Sequence, residues 1–341
     1  MTVVTAKTPY FIAKIMSGDM FYLHKSCSYG EGWNVWDKLN SKTRVKGSLY
    51  IRNPVEGNEV LKKVINGLLF GTAGIPLSTP KPATSVNGVL RVRELGLNAM
   101  ELEFVRGVKM SDDLAYKVRS VSEAAKVVLT AHAPYYINLN SPEKAKVEAS
   151  INRILETARV AYKAGGWSIV FHPAYYGKDS AELVYERVKE ALKVIVRTLS
   201  DEGVSVWIRP ETSGGLAEFG SLEEVVRLSQ EVEGVLPCID FAHMHARSRG
   251  EYNSYEEFMK VFNYVEKELG KDILKNMHMH FSGIEYGEKG EIRHLNIQES
   301  DFKYVDLAKA LKDYSIEGII ISESPNIEDD ALLLKKAYDL S

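Results

Sequence analysis

Six side chains able to bind metals or move protons recur at one kind of place in this 341-residue sequence: the end of a short apolar run, just before a loop. His132 closes Val128-Leu129-Thr130-Ala131, and His172 closes Ile169-Val170-Phe171. Glu211 closes Trp207-Ile208-Arg209-Pro210 and opens the loop Thr212-Ser213-Gly214-Gly215. Asp240 follows Cys238-Ile239, with His243 just beyond it; His280 follows Met277-His278-Met279; Glu323 follows Ile319-Ile320-Ile321-Ser322. A buried carboxylate is costly unless it is paired or bound to a metal. One His or acid at a strand end is ordinarily a hydrogen-bonded loop anchor or helix N-cap. Six successive ends of this kind point instead to a shared site. Imidazole and carboxylate without thiolate suit Zn²⁺, Mn²⁺ or Fe²⁺ rather than Mg²⁺ or Ca²⁺. The set exceeds what one catalytic ion takes, so two or three ions are expected. His278, on the same face as His280 but a layer deeper, reads as a core or supporting residue. His245 reads as a loop or supporting residue, and His24 has no such context.

The elements that must carry these residues form a rhythm. Apolar runs at 68–71, 99–104, 127–132, 168–172, 204–211, 235–240, 276–281 and 318–323 alternate with amphipathic helical stretches such as 142–164 and 180–199. Ser141-Pro142 predicts a helix start with Ser at the N-cap and Pro first inside, and Ser221 with Glu224 has capping-box spacing. Near-continuous apolar strands alternating with helices predict a parallel sheet covered by helices, an α/β fold. Eight repeats predict a closed (β/α)8 barrel, whose C-terminal strand ends form one rim where active sites are built. An open doubly wound sheet is the alternative. The Gly-x-Gly-x-x-Gly and Walker A sequences that would favour it are absent. The long connection 283–300 after the seventh strand is a candidate functional loop.

Composition bounds the rest. A hydrophobic share of 45% and a charged share of 26% are those of a globular protein. No apolar run approaches a membrane span, and the first residues lack signal-peptide character, so a cytoplasmic protein without membrane contact is expected. Two cysteines, Cys27 and Cys238, exclude a disulfide framework; Cys238 reads as a small core residue. Residues 1–66 hold ten Lys/Arg and five Asp/Glu, leaving −8 for the remainder. They read as a basic, β-rich N-terminal extension, with strands near 10–15 and 48–52 and a helix near 56–66, ahead of a barrel over 67–341. This basic head could contact DNA or a protein, and Trp33 and Trp36 could stack on bases or form a small core.

His132-Ala133-Pro134-Tyr135-Tyr136, Phe171-His172-Pro173, Pro210-Glu211-Thr212-Ser213-Gly214, Cys238-Ile239-Asp240-Phe241-Ala242-His243, His280-Phe281-Ser282-Gly283 and Ser322-Glu323-Ser324-Pro325 occur in that order. Together they resemble endonuclease IV, the metal-dependent apurinic/apyrimidinic endonucleases of the xylose-isomerase-like TIM barrels. The resemblance implies a trinuclear zinc site. His132, His172 and Glu211 would hold one ion; Glu211 would bridge to a second held by Asp240, His280 and Glu323; His243 and His294 would hold a third. The family places an Asp two residues before that last His. Here Ile292 stands there, with Glu291 as the nearest acid. The resemblance also implies that Tyr135, Tyr136 and Arg106 insert into double-stranded DNA. The implied reaction, in base excision repair, is hydrolysis of the phosphodiester 5′ to an abasic site, with Glu211 acting catalytically. A sugar isomerase or epimerase on the same barrel, and a non-cleaving lesion binder whose third site has decayed at Ile292, are the alternatives.

Overall fold

The computed structural model describes residues 65–341 in full, together with the backbone of three N-terminal strands. The chain divides into two compact units, Met1–Gly57 and Asn58–Ser341. In the first, β1 (Val4–Lys7), β2 (Tyr10–Lys14) and β3 (Met20–His24) form an antiparallel sheet in the order β1-β2-β3. The expected strand at 48–52, Trp33, Trp36 and the helix near 56–66 up to residue 64 lie outside the described residues.

In the second unit, β4 (Leu68–Ala73), β5 (Ala99–Glu103), β6 (Val128–His132) and β7 (Ser168–Phe171) are followed by a two-residue strand β8 (Ala174–Tyr175). Then come β9 (Trp207–Pro210), the short β10 (Glu218–Phe219), β11 (Cys238–Asp240), β12 (Met277–Phe281), β13 (Gly283–Gly287), β14 (Gly290–Leu295) and β15 (Gly318–Ser322). Eight of them make one parallel sheet in the order β11-β12-β15-β4-β5-β6-β7-β9. Parallel bridges Ile208–Val235 and Glu211–Cys238 join its two outer strands and close the barrel. Helices α1 (Ser85–Glu94), α2 (Asp112–Ala125), α3 (Lys144–Lys163), α4 (Ala181–Asp201), α5 (Leu222–Glu231), α6 (Phe241–Arg247), α7 (Tyr255–Leu269), α8 (Tyr304–Asp313) and α9 (Glu328–Leu340) fill the intervals. The connection at 283–300 is an antiparallel hairpin of β13 and β14 followed by a short 3-10 turn.

Strand side chains alternate between the two sheet faces. One set, including Phe70, Met100, Leu102, Leu129, Ile169, Ile239, Met279 and Ile320, packs under the helices with Val89, Val118, Ile154, Val188 and Leu307. The other points into the barrel. Part of it is apolar, with Ala99, Val128, Ile319 and Ile321 in one cluster. The same face also carries polar side chains, with Glu101, Thr130, Ser168, His278 and Arg209 all buried. The barrel therefore carries a hydrophobic shell outside and a polar column inside, ending at the rim.

Local sequence signals set the ends. Ser221 caps α5 with a complete capping box, as its spacing predicts. Glu224 also accepts the Gly220 N–H at 3.0 Å and the Tyr176 hydroxyl at 2.7 Å, so this cap pins the end of the loop that Glu211 begins. The predicted Ser141-Pro142 start of α3 is not observed. Glu143 is the N-cap without a side-chain bond, and the Ser141 hydroxyl accepts the Glu143 N–H at 3.3 Å in a turn that delays the helix. Replacing Ser221→Ala removes one partner of the box and should cost about 1 kcal/mol of stability, read from denaturant unfolding; no change would show that Glu224 alone holds the loop.

Candidate metal centre

The Glu211 side chain is fully buried where the barrel closes. Its carboxylate faces four imidazoles. Oε2 lies 3.2 Å from His132 Nε2 and 3.4 Å from His172 Nε2; Oε1 lies 3.0 Å from His280 Nδ1 and 3.4 Å from His243 Nδ1. On the far side, Glu323 Oε1 is 3.3 Å from His280 Nδ1, and Asp240 Oδ2 is 3.5 Å from His243 Nδ1. Asp240 Oδ1 caps α6 by accepting the His243 N–H at 2.7 Å, which leaves the buried Oδ2 without a hydrogen-bond partner. His294, on β14, puts Nε2 3.1 Å from His243 Nε2.

The other nitrogen of each ring shows which one is left for a ligand, because the bond made by one imidazole nitrogen fixes the role of the other. His132 Nδ1 meets Ala133 O at 2.8 Å, His243 Nδ1 meets Thr212 O at 2.9 Å, and His294 Nδ1 meets Glu323 O at 3.2 Å. His172 Nδ1 meets Ser213 Oγ at 3.3 Å. All four are thereby turned to offer Nε2. His280 is reversed, with Nδ1 at the rim.

Three overlapping sets of donor atoms result: His132, His172 and Glu211; Glu211, Asp240, His280 and Glu323; and Asp240, His243, His294 and Glu323. Within each set the atoms lie within 4.8 Å of one another. Two imidazole nitrogens facing at 3.1 Å match the edge of a tetrahedron whose metal–nitrogen bonds are about 2.0–2.1 Å. The orphaned Asp240 Oδ2 and this nitrogen pair are what a metal would satisfy, so the residues fit two or three ions.

Burial opposes charge on these groups, yet the cluster overrides it. Burial depresses His132, but the hydrogen bond and charge of Glu211 push it up to about 10. Against burial, His243 is likewise raised by Asp240 and neighbouring acids, and His280 by Cys238, then Glu323 and neighbouring acids. His172 yields to burial and falls to about 4. Burial raises Glu323 to about 7. Glu211 stays well below the usual carboxylate range because His172 and His280 outweigh its burial.

The hairpin supplies the part that sequence spacing left open. The β13–β14 ladder shifts register between Glu285 and Tyr286: Glu285 pairs with Arg293, and Tyr286 pairs with Glu291. Ile292 is the extra residue and is 60% exposed. This bulge puts Glu291, not residue 292, on the face of His294. Glu291 Oε2 is 3.4 Å from His243 Nε2, and its Oε1 is 3.5 Å from His294 Nε2. Gly214 makes the room: a Cβ there would lie 2.5 Å from Glu291 Oε2 and 2.7 Å from its Cβ.

Two acids that the strand-end pattern missed also face inward. Glu101 approaches His280 Nε2 from below at 3.1 Å. Glu103, beside His132 in the β5–β6 register, is raised to about 7 by burial, and its Oε1 has no hydrogen-bond partner. The alternation Ala99-Met100-Glu101-Leu102-Glu103 was the available signal. Among the DNA-directed residues, Tyr135 and Tyr136 stand 61% and 64% exposed just past His132. Arg106 is exposed and lines an open groove of about 410 Å³ with Glu103, Lys109 and Met110. His278 is buried in the barrel interior, and His245 is buried on α6 against Asp301 at 3.0 Å.

Two outcomes follow. Metal must displace protons from His132, His243 and His280, so its affinity should rise with pH. Conversely, the raised His132 contributes stability to the metal-free fold that is fully present below about 6.5 and lost as pH rises through about 10. The metal-induced gain in thermal midpoint should therefore widen from about pH 6 to about pH 9; a constant gain would remove these histidines from the ligand set. Gly214→Ala should displace Glu291 and lower the bound-metal count by one, as measured by elemental analysis after dialysis.

A family model described as xylose isomerase-like TIM barrel matches residues 89–339. An uncharacterized protein of Methanocaldococcus jannaschii is 48% identical over 272 residues, 80% of this chain and 97% of its own length. A probable endonuclease 4 of Mycoplasma genitalium is 25% identical over 64% of this chain and 74% of its own length. Among solved structures, a D-tagatose 3-epimerase-like protein superposes with a TM-score of 0.61 at 17% identity, covering 80% of this chain and 96% of that one. Endonuclease IV of Thermus thermophilus superposes with a TM-score of 0.60 at 20% identity, covering 79% and 98%. The closed eight-stranded parallel barrel and the family match over most of its length make this chain a member of the xylose isomerase-like TIM barrel family.

Proposed function

We propose that the chain is a metal-dependent endonuclease that hydrolyses the phosphodiester 5′ to abasic sites in double-stranded DNA, inside the cell. The observation that carries this reading is the three contiguous donor sets joined through Glu211, Asp240 and Glu323. The probable endonuclease 4 relative supports it. Bound Zn²⁺, or Mn²⁺ or Fe²⁺, would supply Lewis acidity that acidifies water and offsets phosphate charge. His132 and His172 with Glu211 would hold one ion; Asp240, His280, Glu323 and Glu211 a second; and His243, His294, Asp240 and Glu291 a third. Glu211, which belongs to the first two of these donor sets, would orient the attacking water.

The remaining residues act on the DNA. Tyr135 and Tyr136 present two exposed rings on the loop that starts at His132, where an apolar wedge can fill the gap left by a missing base. Arg106 and Lys109 on the neighbouring groove supply positive charge for the flanking backbone. An abasic sugar leaves the stack more cheaply than a paired nucleotide, so selectivity needs no base-specific contact. Ile292 is the feature that favoured a non-cleaving lesion binder. Glu291 beside His243 and His294 supports the cleaving reading instead.

A second reading, epimerisation or isomerisation of a sugar, draws on Glu103. A half-buried carboxyl beside the rim, its pKa raised to about 7 by burial, suits sugar hydroxyls better than a phosphodiester. The test is direct. Metal-loaded protein should nick a duplex containing one abasic site, and Glu211→Gln should reduce kcat roughly 100-fold or more while circular dichroism stays unchanged. Absence of nicking across pH and Zn²⁺ or Mn²⁺, with turnover of a ketose instead, would replace the nuclease by the epimerase.

A further inference from the structure

We propose that Glu101 is a positioning residue for the metal centre: from the layer below, its carboxylate receives the Nε2–H of His280 and so keeps the Nδ1 lone pair turned to Glu211, Asp240 and Glu323. The inference rests on reading the rim as a metal centre. Every other rim histidine among the described residues has its second nitrogen against a backbone carbonyl or a hydroxyl of the rim loops. At His280 Nε2 stands Glu101 Oε1 instead, at 3.1 Å. The contact lies off the ideal hydrogen-bond line, and neither atom has another hydrogen-bond partner.

Glu101 is itself held from three strands. Its Oε2 accepts the Thr130 hydroxyl at 2.7 Å and lies 3.3 Å from His278 Nε2, while Ser168 Oγ meets His278 Nδ1 at 2.8 Å. All four residues are buried. Removing a carboxylate from water costs several kcal/mol unless its oxygens are fully used. Elsewhere the same interior face is filled by apolar side chains such as Ala99, Val128, Ile319 and Ile321. A group that served only to fill space could be equally apolar. A carboxylate at this height is explained by the imidazole above it, since a carboxylate behind a ligating histidine fixes its tautomer and raises its basicity.

The test uses full-length protein reconstituted with Zn²⁺. Elemental analysis counts the ions, and chelator competition gives the affinity of each. Glu101→Gln should weaken one ion roughly 10–100-fold, while the thermal midpoint of the metal-free protein moves little. Glu101→Asp, which keeps the charge but draws it back, should also weaken that ion. If Glu101→Gln does not fold, Thr130→Val, which frees Oε2, must show the same selective loss in smaller measure. Unchanged affinity in any folded variant overturns the inference and leaves the metal centre standing. A wild-type protein that binds no Zn²⁺ overturns both. An additional interior ion lost on Cys238→Ser would also overturn it, because Cys238, His278 and His280 lie close enough to hold one.

Discussion

The structure depends on a buried carboxylate surrounded by imidazoles. Glu211 has no solvent exposure, and its two oxygens meet histidine nitrogens on two sides. Such a group is tolerated only if positive charge is brought to it. The barrel brings it from His132, His243 and His280, residues up to 148 positions apart in sequence. In the metal-free state the charge is protons on raised histidines. The same geometry accepts divalent ions, since a proton and a metal compete for the same lone pairs.

Keeping that cluster at the rim requires an unusual barrel interior. Barrels of this class are ordinarily filled by branched apolar side chains. Here only part of the interior follows that rule. Arg209 is also buried in the interior; its guanidinium donates to Pro237 O and to Asn276 O and Oδ1, each at 2.8 Å, and lies 4.7 Å from the Trp167 ring centre. Burial pushes its pKa down to about 9, so three oxygens and an aromatic face do for Arg209 what the acids do for the histidines. The hydrophobic stabilisation of the fold is thus concentrated in the outer shell between strands and helices, leaving the interior to polar chemistry.

The loop after Glu211 joins the rim to the hairpin. Gly214 O accepts the Glu291 N–H at 3.1 Å, Leu216 N–H donates to Lys289 O at 3.0 Å, and Gly215 bridges Gly290. Arg247 donates to Ser213, Gly215 and Glu218 carbonyls, holding the loop from α6. Gly290 is at φ 91°, and a Cβ there would lie 2.2 Å from Gly214 O, so two backbones meet where side chains cannot. One consequence is chemical: Glu291 is carried to His243 and His294 by this close approach.

The sequence by itself determined the eight-stranded barrel and the rim residues from His132 to Glu323, because strand ends in a closed parallel barrel must converge. Period-two alternation also carried Glu101 and Glu103, although both were passed over: a strand buried on both faces reads first as an apolar run. The tertiary structure decided what spacing could not. It chose which nitrogen each histidine presents, since that depends on carbonyls contributed by other loops. It set Glu291, not Ile292, beside His243 and His294 through a bulge, since register is set by the partner strand and by the glycines against which the hairpin packs. It placed Glu101 under His280, since two residues 179 positions apart become neighbours only when β5 and β12 face each other across the barrel.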